Sequence, residues 1–134
     1  MAKVLVIDDE ANVRTLTSML LKRLGYDVLL ADNGWKGLEL YRQEHPDVIV
    51  LDLIMPGMDG IEVLKQIRSV DLNQLVIVVT GDSTPKTDWE VRALGVSEFI
   101  VKGASEHSLG VSLKRLVKAL GPSDLYPCLL TRSE

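Results

Sequence analysis

The sequence holds one cysteine, Cys128, and two histidines, His45 and His107, in 134 residues. A lone cysteine forms no intrachain disulfide, which excludes a disulfide-stapled scaffold and favours a reducing compartment. No Cys/His metal cluster exists, and both histidines lie on or near expected helices, where they read as surface residues. No apolar run approaches the roughly 20 residues that a membrane helix needs. The start, MAKVLVIDDE, turns acidic too soon for a signal peptide. Basic charge is not in excess: 15 Lys and Arg stand against 19 Asp and Glu, a net charge of -4. That balance offers no surface for nucleic acid or an anionic membrane. Low-complexity segments and internal linkers are missing too, and the length suits one domain with a single core. The expectation is a cytoplasmic protein that binds neither membrane nor nucleic acid directly.

What is present is a regular alternation. Short apolar runs cover 3–7 (KVLVI), 27–31 (DVLLA), 47–51 (DVIVL), 75–79 (LVIVV) and 98–101 (EFIV). They are rich in Val, Ile and Leu and mostly lack polar alternation, as strands of a parallel sheet buried on both faces do. Helical patterns separate them. Val13, Leu16, Leu20 and Leu24 repeat at helical spacing before a stop at Gly25. Residues 34–44 carry Trp35, Leu38 and Tyr41 on one side. Asp59 and Glu62 fit a capping box for a helix with Ile61, Leu64 and Ile67 facing inward. Thr84 and Pro85 read as cap and first position of a helix that ends at Gly95 and has the poorest apolar face. Ser105 opens a last helix, with Leu109, Leu113, Leu116, Val117 and Leu120 on its face and Gly121 and Pro122 as its stop. This order predicts an α/β fold, a doubly wound sheet with right-handed crossovers, over residues 1–120. The tail at 121–134, GPSDLYPCLLTRSE, reads as a docked extension, a truncated linker or an added remnant.

In open α/β sheets, ligands bind outside the carboxyl ends of the strands. Asp8, Asp9 and Glu10 follow the first run, Asp52 the third, Thr80 the fourth and Lys102 the fifth. Asp32 follows the second, and pattern alone does not exclude it. Neighbouring strands lie about 4.8 Å apart, so adjacency of the first and third would crowd Asp8, Asp9 and Asp52 together. Carboxylates that close repel unless a cation intervenes. Oxygen-only donors suit Mg²⁺, which takes one or two carboxylates and fills its shell with waters and phosphate oxygens. A lysine is a point charge suited to a phosphate oxygen, and a carboxylate can act as a nucleophile and form an acyl phosphate. Singly, each residue is ordinary: a turn aspartate, a solvated lysine, a β-favouring threonine. Their joint placement points to phosphoryl chemistry. The stretch after Asp52 is stiff as well. Pro56 fixes its own φ and restricts Met55, and Gly57 and Gly60 are expected in turn geometries closed to other residues.

The stretches VLVIDDE and DLIMPGMDG, with Thr80 and with Lys102 inside FIVKG, resemble the receiver domain of two-component response regulators, from about Lys3 to Leu120. The resemblance implies a flavodoxin-like sheet of five parallel strands in the order 2-1-3-4-5, flanked by five helices; chemotaxis receivers are a standard example of that order. It implies that Asp52 is the phosphoacceptor, taking a phosphoryl group from a phosphohistidine on a sensor histidine kinase or histidine phosphotransfer protein. Asp9, Asp8 mostly through water, a carboxylate oxygen of Asp52 and the backbone carbonyl of Ile54 would hold Mg²⁺. Lys102 would contact the phosphoryl group, Thr80 would be drawn to it, and Phe99 would turn inward as an aromatic switch. The surface from the fourth helix through the fifth strand to the fifth helix would select an output domain or docking partner. Such a module is not an enzyme in the turnover sense: it catalyses only its own phosphorylation and dephosphorylation.

The chain departs from that pattern at Gly103, where the family usually has proline after the lysine, often with a cis bond. A cis bond before a non-proline residue costs about 3–4 kcal/mol, so Lys102–Gly103 is expected to be trans. Phe99 lacks a tyrosine hydroxyl, so a switch there works through packing, and a plain core role is the alternative. Ile54 and Asp82 stand two residues beyond Asp52 and Thr80, flanking the path of a hydrolytic water in the family. Trp35 is expected to be partly buried; Trp89 is either packed or an exposed partner mark. Two competing readings stand beside the receiver. A Mg²⁺-dependent phosphatase with an aspartyl nucleophile resembles Asp-x-Asp, and Ile54 occupies the place of its second acid. A phosphorylation-independent pseudo-receiver is supported by Gly103.

Overall fold

Each apolar run divides its side chains between two cores, which is why the runs do not alternate with polar residues. The computed structural model describes residues 2–81, 84–101, 114–115 and 118–120. In β1 (Lys3–Ile7), Val4 and Val6 face one core and Leu5 and Ile7 the other. Strand β3 (Val48–Leu51) splits the same way, as does β4 (Leu75–Thr80). With β2 (Asp27–Ala31) and β5 (Glu98–Val101) they form one sheet, ordered β2-β1-β3-β4-β5, in which every pairing is parallel. The expected order is therefore observed. The third strand starts one residue later than the apolar run. Asp47 instead accepts the Lys3 backbone N–H on its carboxylate at 2.8 Å, at the edge of the ladder.

Helices cover both faces. On one lie α2 (Gly34–Glu44), α3 (Gly60–Val70) and α4 (Pro85–Ala93), which bury Leu38, Tyr41, Val63, Leu64, Ile67 and Val91 against Leu5, Ile7, Ile49 and Leu51. On the other lies α1 (Ala11–Arg23), where Leu21, Tyr26 and Leu120 join Val4, Val6, Val50 and Ile77. Full burial of one such aliphatic side chain contributes about 1.5–3 kcal/mol. Residues 114–115 and 118–120 are helical, within the expected fifth helix. Its end is tied down by the Tyr26 hydroxyl, which donates to the Leu120 carbonyl at 3.1 Å. Lys102, the Lys102–Gly103 bond, Asp82, Ser105, His107, Leu109, Leu113, Leu116, Val117, Gly121, Pro122 and the 121–134 tail lie outside the described residues.

Two packing expectations are corrected. Val13, Thr17, Ser18 and Leu21 are the buried residues of α1, while Leu16 is 43% exposed. The helix is rolled toward Thr17 and Ser18, which leaves Leu16 at the margin of the face. Trp35 is 58% exposed, on the first turn of α2. Trp89 is 75% exposed, which settles its open placement.

The helix ends follow cap chemistry. Asp59 accepts the Glu62 N–H at 2.9 Å, and Thr84 accepts the Thr87 N–H at 3.2 Å, as their spacing predicts. Asn33 does the same for α2, accepting from Lys36 at 2.9 Å. Gly25 and Gly95 follow α1 and α4 with φ of 92° and 75°. Helix α2 ends without a glycine: His45 takes φ 48° and donates its backbone N–H to Tyr41 at 3.2 Å. A left-handed conformation costs an L-residue about 1–2 kcal/mol, partly offset in glycine by its greater unfolded-state entropy. His45→Gly is therefore expected to raise the unfolding free energy by about 0.5–1 kcal/mol in a urea titration.

Arg68 fastens α4 to the rest of the helical layer. It is 9% exposed and donates to the carbonyls of Leu94 at 2.6 Å, Gly95 at 3.0 Å and Asp71 at 3.1 Å. Two of those carbonyls close the end of α4, where backbone acceptors lack helical partners. Burial holds the guanidinium below its ordinary pKa. Burial, and then the charge of Asp71, push the neighbouring Tyr41 phenol above its own.

Candidate functional site

The parallel register carries two acids to one place. Ile7 pairs with Leu51, and Asp8 and Asp52 are the next residue on each strand. The ladder runs one rung further, since the Asp52 N–H donates to the Ile7 carbonyl at 2.9 Å and the Asp8 N–H to the Ala31 carbonyl at 3.1 Å. Both side chains are buried, each 3% exposed. Each carboxylate folds back on its own chain: Asp8 Oδ1 accepts the Glu10 N–H at 2.9 Å, and Asp52 Oδ1 accepts the Ile54 N–H at 3.2 Å. These bonds fix the carboxylate orientations. One carboxylate oxygen from each of Asp8, Asp9, Glu10 and Asp52 lies within 4.8 Å of the other three.

Glu10 is the member that sequence reasoning did not place at the site. It occupies the N-cap of α1 without making a side-chain cap bond, at the helix end that favours negative charge. Its signal was adjacency to Asp9. Asp32 is not among the clustered acids; it accepts from the Asn33 amide at 2.8 Å, beside the edge strand β2. A small cavity under the cluster is lined by Asp8 and Asp52, by Val13 and Thr17 of α1, and by Val6, Val50 and Val79 of the sheet. Thr80 ends β4, wholly buried and paired with Val101. Ile54 turns its side chain outward, 56% exposed. Phe99, half-buried on β5, lies 5.9 Å from the Arg92 guanidinium carbon, and Arg92 in turn pairs with Asp88 at 2.8 Å. Lys102 would follow β5 directly.

The loop after Asp52 is built by contacts more than by turn freedom alone. Gly57 has φ 82°, as its place beyond Pro56 suggests. Gly60 does not adopt a left-handed φ, contrary to expectation. It is needed because a β-carbon there would collide with the Asp52 carbonyl oxygen and stand 2.6 Å from Leu53 Cα. The Gly60 N–H meanwhile donates to the Leu53 carbonyl at 2.9 Å. The first residue of α3 is thus pressed onto the backbone of Asp52 itself.

The donor set fits a hard divalent cation. It contains carboxylate oxygen only, two of its acids are withdrawn from water, and like charges are gathered where neutralisation is most favourable. No described helix is long and apolar enough to cross a membrane.

Comparison with known proteins agrees with this architecture. Residues 4–114 match the family model for the response regulator receiver domain. Sporulation initiation phosphotransferase F of Bacillus subtilis is 35% identical over 100 residues, which cover 75% of this chain and 81% of that protein. The alkaline phosphatase synthesis transcriptional regulatory protein PhoP of the same species is 34% identical over 87% of this chain and 48% of its own length. The regulatory protein AtoC of Escherichia coli is 33% identical over 87% of this chain and 25% of its own. The chain therefore spans about a quarter to a half of those two regulators. Among solved structures, the Vibrio cholerae chemotaxis protein CheY4 superposes with a TM-score of 0.72 at 32% identity, over 86% of this chain and 98% of that one. The chain belongs to the response regulator receiver domain family of two-component signalling proteins.

Proposed function

We propose that Asp52 accepts a phosphoryl group from a phosphohistidine on a sensor histidine kinase or histidine phosphotransfer protein. The observation that carries this reading is the gathering of carboxylate oxygens from the ends of β1 and β3 within 4.8 Å. Asp9, Asp8, an oxygen of Asp52 and the Ile54 carbonyl would hold Mg²⁺, which when bound offsets the negative charge on the transferring group. Asp52 attacks phosphorus as the phosphorus–nitrogen bond breaks, and the leaving imidazole takes up a proton from water. The bond from the Ile54 N–H holds one Asp52 oxygen in place during the attack. Lys102 would meet the phosphoryl oxygens and Thr80 would be drawn toward them. Phe99 would then lose its place beside Arg92 and turn inward, altering the surface from α4 through β5 to the last helix. That surface would engage an output domain or a docking partner. The protein acts in the cytoplasm, and this chain would neither bind nucleic acid directly nor turn over an external substrate.

Intact-mass measurement after incubation with a small acyl phosphate and Mg²⁺ tests this. One added phosphoryl group is expected, and chelation of the metal should prevent its addition. An unchanged mass would contradict the proposal, and sustained phosphate release from a chromogenic phosphoester would indicate an enzyme instead.

A further inference from the structure

Trp35 is an unusual side chain in the described structure: it is 58% exposed, yet the far edge of its ring rests on the loop that follows Asp52. The three heavy atoms nearest the position of a β-carbon at Gly57 all belong to Trp35, at 2.5, 2.7 and 3.8 Å. Gly57 stands at φ 82° with exposed Pro56 before it, so this is the outer tip of the loop. Leu53 and Met55 anchor the inner part of the same loop in the core. The base of the indole is also held. Asn33 caps the helix start through the Lys36 N–H. A β-carbon at Gly34 would stand 2.8 Å from Val63 Cγ2 and 3.1 Å from Met58, so the first turn of α2 sits tightly against α3 and the loop.

From this geometry we infer that Trp35 is a positioning residue, a brace that holds the Ile54–Met58 loop in its metal-binding shape. The inference rests on the reading of Asp52 and the Ile54 carbonyl as metal ligands. Its physical basis is preorganisation. A brace anchored on a rigid helix removes alternative loop conformations before the ion arrives, so less ordering opposes binding. An indole suits the task, because it supplies a large contact area with few rotatable bonds. Conversely, with the Ile54 carbonyl drawn to a bound ion, Gly57 would shift under the ring and the solvent contact of the indole would change.

The test uses Mg²⁺ alone, with two readouts. Calorimetric titration compares wild type, Trp35→Ala and the control Trp89→Ala. A Trp89→Phe variant leaves Trp35 as the single tryptophan for emission measurements. Trp35→Ala is expected to raise the Mg²⁺ Kd about tenfold, the scale on which outer-sphere support acts, with a normal circular-dichroism spectrum. Trp89→Ala should bind as wild type does. Trp35 emission should shift with the same midpoint as the calorimetric titration. A Trp35→Ala Kd within about twofold of wild type, a difference of under half a kcal/mol, overturns the inference whatever the emission does. If wild type binds no Mg²⁺, or Asp52→Asn binds it as tightly as wild type, the failure lies instead in the metal reading on which the inference rests.

Discussion

Gly60→Ala is expected to destabilise the protein by at least about 3 kcal/mol, the upper end of ordinary overpacking. The added methyl meets the Asp52 carbonyl oxygen and Leu53 Cα, which are backbone atoms and cannot rotate aside. Relief requires α3 to lift away from the end of β3. That movement strains the bond from the Gly60 N–H to Leu53 and uncovers Leu64 and Ile67, both fully buried on α3. Gly81→Ala is the matched control, because a β-carbon there has nothing within 4 Å. It should remain within about 0.5 kcal/mol of wild type. Urea denaturation of both variants provides the comparison. The effect reaches function as well, since displacement of α3 moves the Asp52 backbone from which the candidate nucleophile projects.

Asp9→Asn is expected to act in opposite directions with and without metal. Without a divalent ion, it removes one negative charge from four acids that each bring one oxygen within 4.8 Å of the others, and so relieves repulsion. The thermal midpoint of the metal-free protein should rise. With Mg²⁺ present, the same change removes a charged ligand and should weaken binding by at least about tenfold, the lower bound of what even outer-sphere partners contribute. An ion that binds only the folded state adds about 2.7 kcal/mol at a hundred times its Kd. Wild type should therefore gain strongly in midpoint on Mg²⁺ addition and the variant only weakly. Thermal unfolding across a Mg²⁺ series measures both signs. A variant that is less stable than wild type without metal would mean that Asp9 serves the fold and not an ion.

The strands were readable because both faces of the sheet are covered. Continuous Val, Ile and Leu are the direct consequence, and Ile7 and Leu51 mark where the acids must follow. Asp59 and Thr84 were readable because a cap is a local event, decided within a few residues. What sequence could not give was the roll of a helix and its contacts with distant chain. Leu16 has the right spacing for the α1 face, but Thr17 and Leu21 turn inward in its place. Gly60 looked like a turn residue and proves to be a close-approach residue, a distinction set by how α3 meets β3. Trp35 looked like packing, and its contact with Gly57 depends on the placement of α2 against the β3–α3 loop. His45 gave no local sign of a left-handed helix end beyond the proline that follows it. Glu10 was visible beside Asp9, but only the start of α1 brings its carboxylate back toward Asp52.

The central claim is that one carboxylate, at the end of the middle strand, receives the phosphoryl group with help from acids on the strand beside it. Locating that group by fragment mass spectrometry, after reaction with a small acyl phosphate and Mg²⁺, tests it most directly. The expected result is a single modification on Asp52, absent from Asp52→Asn and strongly reduced in Asp9→Asn. A phosphoryl group found on another residue, or one that persists in Asp52→Asn, would contradict the account.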